Sequence, residues 1–161
     1  MHLRPIPTDT YTALNPEVPW NAKRIDVNLT KQTLTAYEYD KIVFNTTISS
    51  GIPSSDTDTH AGKFNIIEKL PSELMGEAKF SQTVDGYYQL PGIPWTCYFT
   101  EDGQAFHGTY WHDNFGTPMS HGCVNMRTDE ALWVFRWATP VHTADAYVNN
   151  RGHGTAVDVH F

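Results

Sequence analysis

Cysteine is scarce in this chain, with only Cys97 and Cys123 among 161 residues. Two are too few for a disulfide framework, and neither belongs to a C-x-x-C pair, so at least one is open to a chemical role. Positive charge is scarce too. Lys and Arg total 11 against 18 Asp and Glu, a net charge of -7, so the surface needed to neutralise phosphates is missing and nucleic acid is not an expected partner. No run approaches the ~20 apolar residues that cross a bilayer. Residues 1–20 also lack the charged start and apolar centre of a secretory signal, so either the protein is cytosolic or its targeting segment lies outside this chain. No internal repeat is visible. What is present is globular: 40% apolar and 18% charged residues with 11 Gly and 10 Pro, which excludes disorder as the main state. The length fits one domain, large enough to fold without a metal or disulfide.

Pro5, Pro7, Pro16 and Pro19 break up the first residues, and 1–22 reads as an extended lead-in to a domain over 23–161. Ile25, Val27 and Leu29 alternate with Asp26 and Asn28, the period of a strand with one buried face. Turns at 30–32 and near 40–41 lead into strands over 33–39 and 42–49, which makes a three-stranded antiparallel meander. Residues 51–60 read as a surface loop and 62–68 as a short strand. Residues 69–92, broken by Pro71, Gly76, Gly86, Pro91 and Gly92, fit a folded-over flap with a short hairpin. Strands over 95–100 and 104–107 turn at Asp102-Gly103, a strong hairpin pair. One helix is predicted: Thr128 as N-cap, Asp129 and Glu130 in the first turn, a buried stripe of Ala131, Leu132, Phe135 and Ala138, and Pro140 as terminator. Alternation returns over 141–148 and 155–160 around a turn at 149–152. The sum is a mainly β domain with one principal helix.

Chemistry concentrates in residues 107–127, HGTYWHDNFGTPMSHGCVNMR. Cys123 is the natural nucleophile, because a thiol is partly ionised near neutral pH and a nearby imidazole lowers its pKa further. His107, His112 and His121 are the available bases. Gly122 and Cys123 offer successive backbone N–H groups for an oxyanion. The plainer reading makes Cys123 a small buried residue opening a helix. A zinc site of His107, His112, His121 and Cys123 has the right ligand types, but its spacing matches none of the usual metal pairs. Cys97 lies in an apolar strand and reads as core filler. Asp56 and Asp58 read as solvated loop carboxylates, and His2, His60, His142, His153 and His160 are assigned no role.

The run Ser120-His121-Gly122-Cys123-Val124-Asn125, with His107-Gly108-Thr109 sixteen positions before the cysteine, resembles the signature of the L,D-transpeptidase (YkuD-like) catalytic domain, whose bacterial members cross-link peptidoglycan. Residues 25–38, Ser50-Gly51 and Ala61-Gly62-Lys63-Phe64 extend the likeness over about 23–148. His60-Ala61 departs from the usual Thr-Pro before Gly62, and 69–92 has no counterpart. The resemblance implies a YkuD-like β-sandwich or mixed sheet whose principal helix follows the cysteine loop. It makes Cys123 the nucleophile, His107 the base and the Gly108 carbonyl the group that orients the base. Gly122 and His121 would complete the catalytic turn, His121 not as the base because some members carry lysine there. Ser120, Asn125, Arg127, Tyr110 and Trp111 would shape the loop or the substrate pocket, Arg127 through a stem-peptide carboxylate or the protein's own loop.

The implied reaction is acyl transfer on peptidoglycan stem peptides: a Cys123 thioester forms with release of D-alanine, and a neighbouring stem's amine resolves it into a 3→3 cross-link. Water as acceptor would make the enzyme an L,D-carboxypeptidase. Acylation by carbapenems is implied as well. No cofactor or metal is expected, and the chain is expected to be a monomer acting outside the cytoplasm, its targeting segment not present in this chain. A non-catalytic wall-binding module and a cysteine peptidase are the competing classes.

Overall fold

Strand β1, Lys23–Asn28, buries Lys23, Ile25 and Val27 and leaves Arg24, Asp26 and Asn28 more exposed, so the sequence alternation survives as one core-facing row. The computed structural model describes residues 12–54, 56–75, 90–141 and 154–161. β2, Thr33–Glu38, and β3, Lys41–Thr47, follow as antiparallel neighbours, which gives the expected meander. β4, Gly62–Asn65, pairs antiparallel with the last strand, β9, Ala156–His160, and β9 runs parallel to β1. The sheet order is therefore β3-β2-β1-β9-β4.

A second sheet, ordered β5-β6-β7-β8, comprises β5 Glu68–Met75, β6 Leu90–Tyr98, β7 Ala105–Gly108 and β8 Val124–Met126. The strand expected over 62–68 divides because its backbone changes sheets. The Ile66 N–H bonds Thr155 O and the Ile67 N–H bonds Tyr98 O, both at 2.9 Å. The flap expected over 69–92 is, at its two ends, the paired arms of β5 and β6; residues 76–89 lie outside the described residues. So do residues 142–152 of the strand and turn expected over 141–148 and 149–152. The hairpin at Asp102-Gly103 joins β6 to β7 as expected.

Inner faces of both sheets share one core, with Ile25, Leu34 and Val157 from the first sheet and Trp95, Phe106 and Val124 from the second. The helix α1, Thr128–Trp137, inserts Ala131, Val134 and Phe135 into it. Its N-cap is Arg127 rather than Thr128: the Ala131 N–H reaches the Arg127 carbonyl at 2.9 Å, and no side chain caps the turn. Leu132, expected on the buried stripe, is only half-buried, and Val134 and Trp137 are buried instead.

Two buried lysines close the far end of α1. Lys23 Nζ donates to Trp137 O at 2.8 Å and Lys69 Nζ to Ala138 O at 2.7 Å, the latter also 4.7 Å from the centre of the Phe135 ring. Each sheet thus supplies a cation where the helix dipole is negative and carbonyls lack intrahelical partners. This fixes α1 across both sheets, and with it the segment 107–127 that α1 follows.

Candidate active site

β7 and β8 are parallel, with Phe106 opposite Val124, His107 opposite Asn125 and Gly108 opposite Met126. Side chains alternate along strands. Phe106, Val124 and Met126 therefore enter the main core, while Ala105 and Cys123 join a smaller cluster on the other face with Ile93 and Tyr98. His107 and Asn125 share that second face. Extending the register by one residue puts Cys123 beside Ala105, so Cys123 and His107 are diagonal neighbours on one face, with the thiol 4.0 Å from Gly103 O. Parallel strands need a long connection, and 109–123 provides it as a loop that brings Cys123 back beside the strand carrying His107.

That loop is pinned to the segment after β3. The Met119 and Ser120 N–H groups bond Ser50 O at 3.0 and 3.1 Å, the Gly116 N–H bonds Ile48 O at 2.8 Å, and Ser49 and Asn125 exchange backbone bonds at 2.9 and 2.7 Å. Gln32 holds Ser50 in turn: its Oε1 accepts the Ser50 N–H at 2.8 Å, and its Nε2 donates to Ser50 Oγ at 2.8 Å. Gly122, at φ +131°, occupies backbone space that L side chains avoid, and a Cβ there would lie 2.9 Å from Gln104 Nε2.

His107 is buried, and its Nδ1 lies 2.9 Å from the Gly108 carbonyl. A carbonyl only accepts, so Nδ1 carries the proton and Nε2 keeps its lone pair. Burial pulls the imidazole down to about 4, against the Gly108 bond and together with the neighbouring His112. Burial also pushes the Cys123 thiol up to about 12, with the Ala105 N–H opposing and the Asp102 charge adding to the rise. The expected acidification of the thiol by its imidazole does not appear: burial dominates each group, and both rest neutral near pH 7.

Other expected site residues divide into two groups. Trp111 packs in the Cys123 cluster with its ring 5.8 Å from that of His107, and Tyr110, exposed, meets Trp111 edge-on at 4.9 Å. His121 is half-buried at the turn. Ser120 and Arg127, expected at the substrate pocket, make their bonds within the protein. Ser120 Oγ donates to the Cys123 carbonyl and accepts the Gly122 N–H at 3.2 Å, which also engages one of the N–H groups expected to face an oxyanion. Arg127 stacks on Phe115 at 4.8 Å and reaches Thr47 Oγ1 at 3.3 Å and Glu130 at 3.6 Å.

Sequence reasoning missed Thr59 and Gln104. Thr59 Oγ1 accepts the Gly51 N–H and donates to Gly122 O, each at 2.8 Å. Gln104 Oε1 accepts the His60 N–H at 2.9 Å, and its Nε2 donates to Asp58 O at 3.0 Å. Single polar residues in loops carry no periodic signal that would have marked them. His60, assigned nothing, pairs with Asp102 at 2.8 Å. Among the described residues no group of three or more His, Cys, Asp or Glu side chains could hold a metal ion, and no helix among them is long and apolar enough to cross a membrane.

Comparison with known structures gives the same architecture. An L,D-transpeptidase, LdtMt1, solved in complex with imipenem, superposes with a TM-score of 0.69 at 24% identity over 86% of this chain and 59% of that one. An L,D-transpeptidase from Mycobacterium smegmatis gives 0.68 at 21% identity over 87% and 59%. The catalytic domain of the E. faecium L,D-transpeptidase gives 0.63 at 24% identity over 86% and 96%. This chain thus spans about 59% of the length of the first two. A search among curated protein sequences finds no match. The sequence profile described as the L,D-transpeptidase catalytic domain, YkuD, matches residues 22–159. On that match over most of its length, the chain belongs to the L,D-transpeptidase catalytic domain family.

Proposed function

We propose that the chain is a cysteine acyltransferase that cross-links peptidoglycan stem peptides 3→3 with release of D-alanine. The observation that carries this reading is the shared face of β7 and β8, where Cys123 and His107 are diagonal neighbours and the His107 Nδ1–H is held by Gly108 O at 2.9 Å.

Because both groups rest neutral, the thiol gives its proton to His107 Nε2 as sulfur adds to the carbonyl of the third stem residue. The Cys123 N–H, with the Gly122 N–H released from its 3.2 Å bond to Ser120 Oγ, stabilises the oxyanion. Collapse breaks the C–N bond, and the His107 proton leaves with the D-alanine amine. A thioester remains. The acceptor amine then attacks, its proton passes to His107, the C–S bond breaks, and the sulfur recovers the proton. Water in place of the amine gives the carboxypeptidase outcome. Trp111, beside His107, and Tyr110, against Trp111, suit a wall against which the stem peptide packs. Peptidoglycan as substrate puts the site of action outside the cytoplasmic membrane. The relative solved with imipenem makes carbapenems reasonable acylating probes.

The test is release of D-alanine from a disaccharide-tetrapeptide muropeptide. Wild type releases it and Cys123→Ala does not; release by Cys123→Ala, or none by wild type, overturns the proposal.

A further inference from the structure

A cavity of about 330 Å³ lies at the seam between the loop after β3 and the loop 109–123, where Ser50, Gly51 and Thr59 line it from one side and Pro118 from the other. Neither Cys123 nor His107 lines it. Its lining nevertheless holds the Cys123 turn, since Ser50 O accepts the Met119 and Ser120 N–H groups and Thr59 Oγ1 donates to Gly122 O. Leu29, Pro53 and Phe161 join Pro118 as its apolar wall, and the exposed Pro53 and Ser54 stand at its mouth. At about 30 Å³ for a water's share of liquid volume, it has room for about ten non-hydrogen atoms.

Every side-chain donor in this lining is already spent. Gln32 is oriented by partners of fixed role: its Oε1 accepts the Ser50 N–H at 2.8 Å and its Nε2 donates to Leu29 O at 2.7 Å, the second Nε2 hydrogen going to Ser50 Oγ. Ser50 Oγ donates to Gly51 O at 3.1 Å. Thr59 Oγ1 takes the Gly51 N–H and gives its own proton to Gly122 O. Thr57 gives its hydroxyl proton to Ile52 O, so Ser54 Oγ gives its own to Thr57 Oγ1 at 2.6 Å.

What remains is an acceptor. Asp58 lines the cavity half-buried, and its carboxylate has no hydrogen bond or ion pair among the described residues. No Lys, Arg or His among those residues lines the cavity. An anion or a carbonyl ligand would therefore meet no free side-chain donor, whereas a cationic N–H donor meets a carboxylate beside an apolar wall. The net charge of -7 favours a cation as well.

We propose that this cavity binds a primary ammonium carried on a short aliphatic chain, the ammonium on Asp58 and the chain against Leu29, Pro53 and Pro118, and that its occupant braces the turn carrying Cys123. The bracing follows from position: an occupant touches both loops at once, and the backbone bonds that join them lie in the cavity's own lining.

The whole protein is titrated with n-pentylamine at pH 7 and fixed ionic strength, and its backbone 15N–1H signals are followed. Saturable shifts are expected at Gly51, Asp58 and Thr59, with none from pentanoate and binding of pentan-1-ol about fivefold weaker. Asp58→Asn should weaken pentylamine by about the same factor while leaving the signals of β7 and β8 in place. No saturable shift with pentylamine, equal binding of pentanoate, or wild-type affinity in Asp58→Asn overturns the site. Cadaverine and Nα-acetyl-lysinamide carry the same group on a free amine and on a peptide side chain, and the tighter binder identifies the source. Hydrogen exchange reads the bracing: the Met119 and Ser120 N–H groups should exchange about tenfold more slowly with pentylamine at ten times its Kd, because only the closed seam binds it. Unchanged exchange at that concentration overturns the bracing.

Discussion

Thr59 donates its hydroxyl to the carbonyl of Gly122 at 2.8 Å, tying the loop after β3 to the turn that carries Cys123, 63 positions away in the chain. The same oxygen accepts the Gly51 N–H, and a Cβ on Gly51 would come within 2.9 Å of Gly122 Cα. The loop after β3 thus holds the Cys123 turn by backbone contact and one buried hydroxyl.

Removing that hydroxyl while keeping its shape should loosen the turn. Thr59→Val leaves a buried N–H and a buried carbonyl without their partner and is expected to cost about 2 kcal/mol of stability and roughly tenfold or more in kcat. Thr59→Ser should stay near wild type. Urea unfolding and steady-state kinetics on the three proteins check this.

Gly122→Ala should be worse. It sets a side chain at φ +131°, 2.9 Å from Gln104 Nε2, at an expected cost of about 2 kcal/mol. Truncating the obstacle with Gln104→Ala relieves the clash but not the backbone strain, so the double variant should recover only part of the stability. Full recovery in thermal melts would assign the whole effect to the clash.

The neutral pair at rest predicts a particular pH dependence for the free thiol. With Cys123 pushed up to about 12 and His107 held at about 4, alkylation of Cys123 by iodoacetamide should be slow at pH 7 and still climb at pH 10. A thiolate–imidazolium pair would instead give a fast plateau from about pH 5 to 8. Peptide mass spectrometry separates Cys123 from the buried Cys97.

Lys69 makes a separate pH prediction about stability. Burial lowers its ammonium from 10.5 to about 8, despite the Cys97 charge that opposes this. The folded protein therefore holds this proton less tightly than the unfolded chain. The group's effect on stability is constant below pH 8 and grows more favourable as pH rises from about 8 to 10.5, by about 3 kcal/mol in all. The difference in unfolding free energy between wild type and Lys69→Met should change by about 2.5 kcal/mol of that between pH 7 and 10, in favour of wild type. A constant difference would contradict the burial argument.

Much of this architecture was legible beforehand because it rests on local periodicity. The alternation of Ile25 and Val27, the Asp102-Gly103 turn and the acids that open α1 each leave a local mark, and β1, the β6–β7 hairpin and the helix appear where expected. β8 was not legible: Val124–Met126 is too short for a period, and it exists only because β7 offers a free edge. The break at Ile66 and Ile67 was hidden for a similar reason, since a change of sheet is decided by partners distant in sequence. In the site, residue type marked Cys123 and left His107, His112 and His121 open as its base; the resemblance to the L,D-transpeptidase domain is what pointed to His107. The electrostatics of the pair depends on burial, which no motif encodes, and the roles of Thr59 and Gln104 depend on loops that meet only after folding.

The central claim is that Cys123 sulfur takes up an acyl group with His107 as proton acceptor, and intact-protein mass spectrometry tests it most directly. Wild type incubated with a disaccharide-tetrapeptide muropeptide should gain one disaccharide-tripeptidyl mass, located on Cys123, with one D-alanine released per adduct. Cys123→Ala should gain nothing, and His107→Ala should acquire the adduct orders of magnitude more slowly. An adduct that persists in Cys123→Ala, or one that forms at the wild-type rate without His107, would contradict the account.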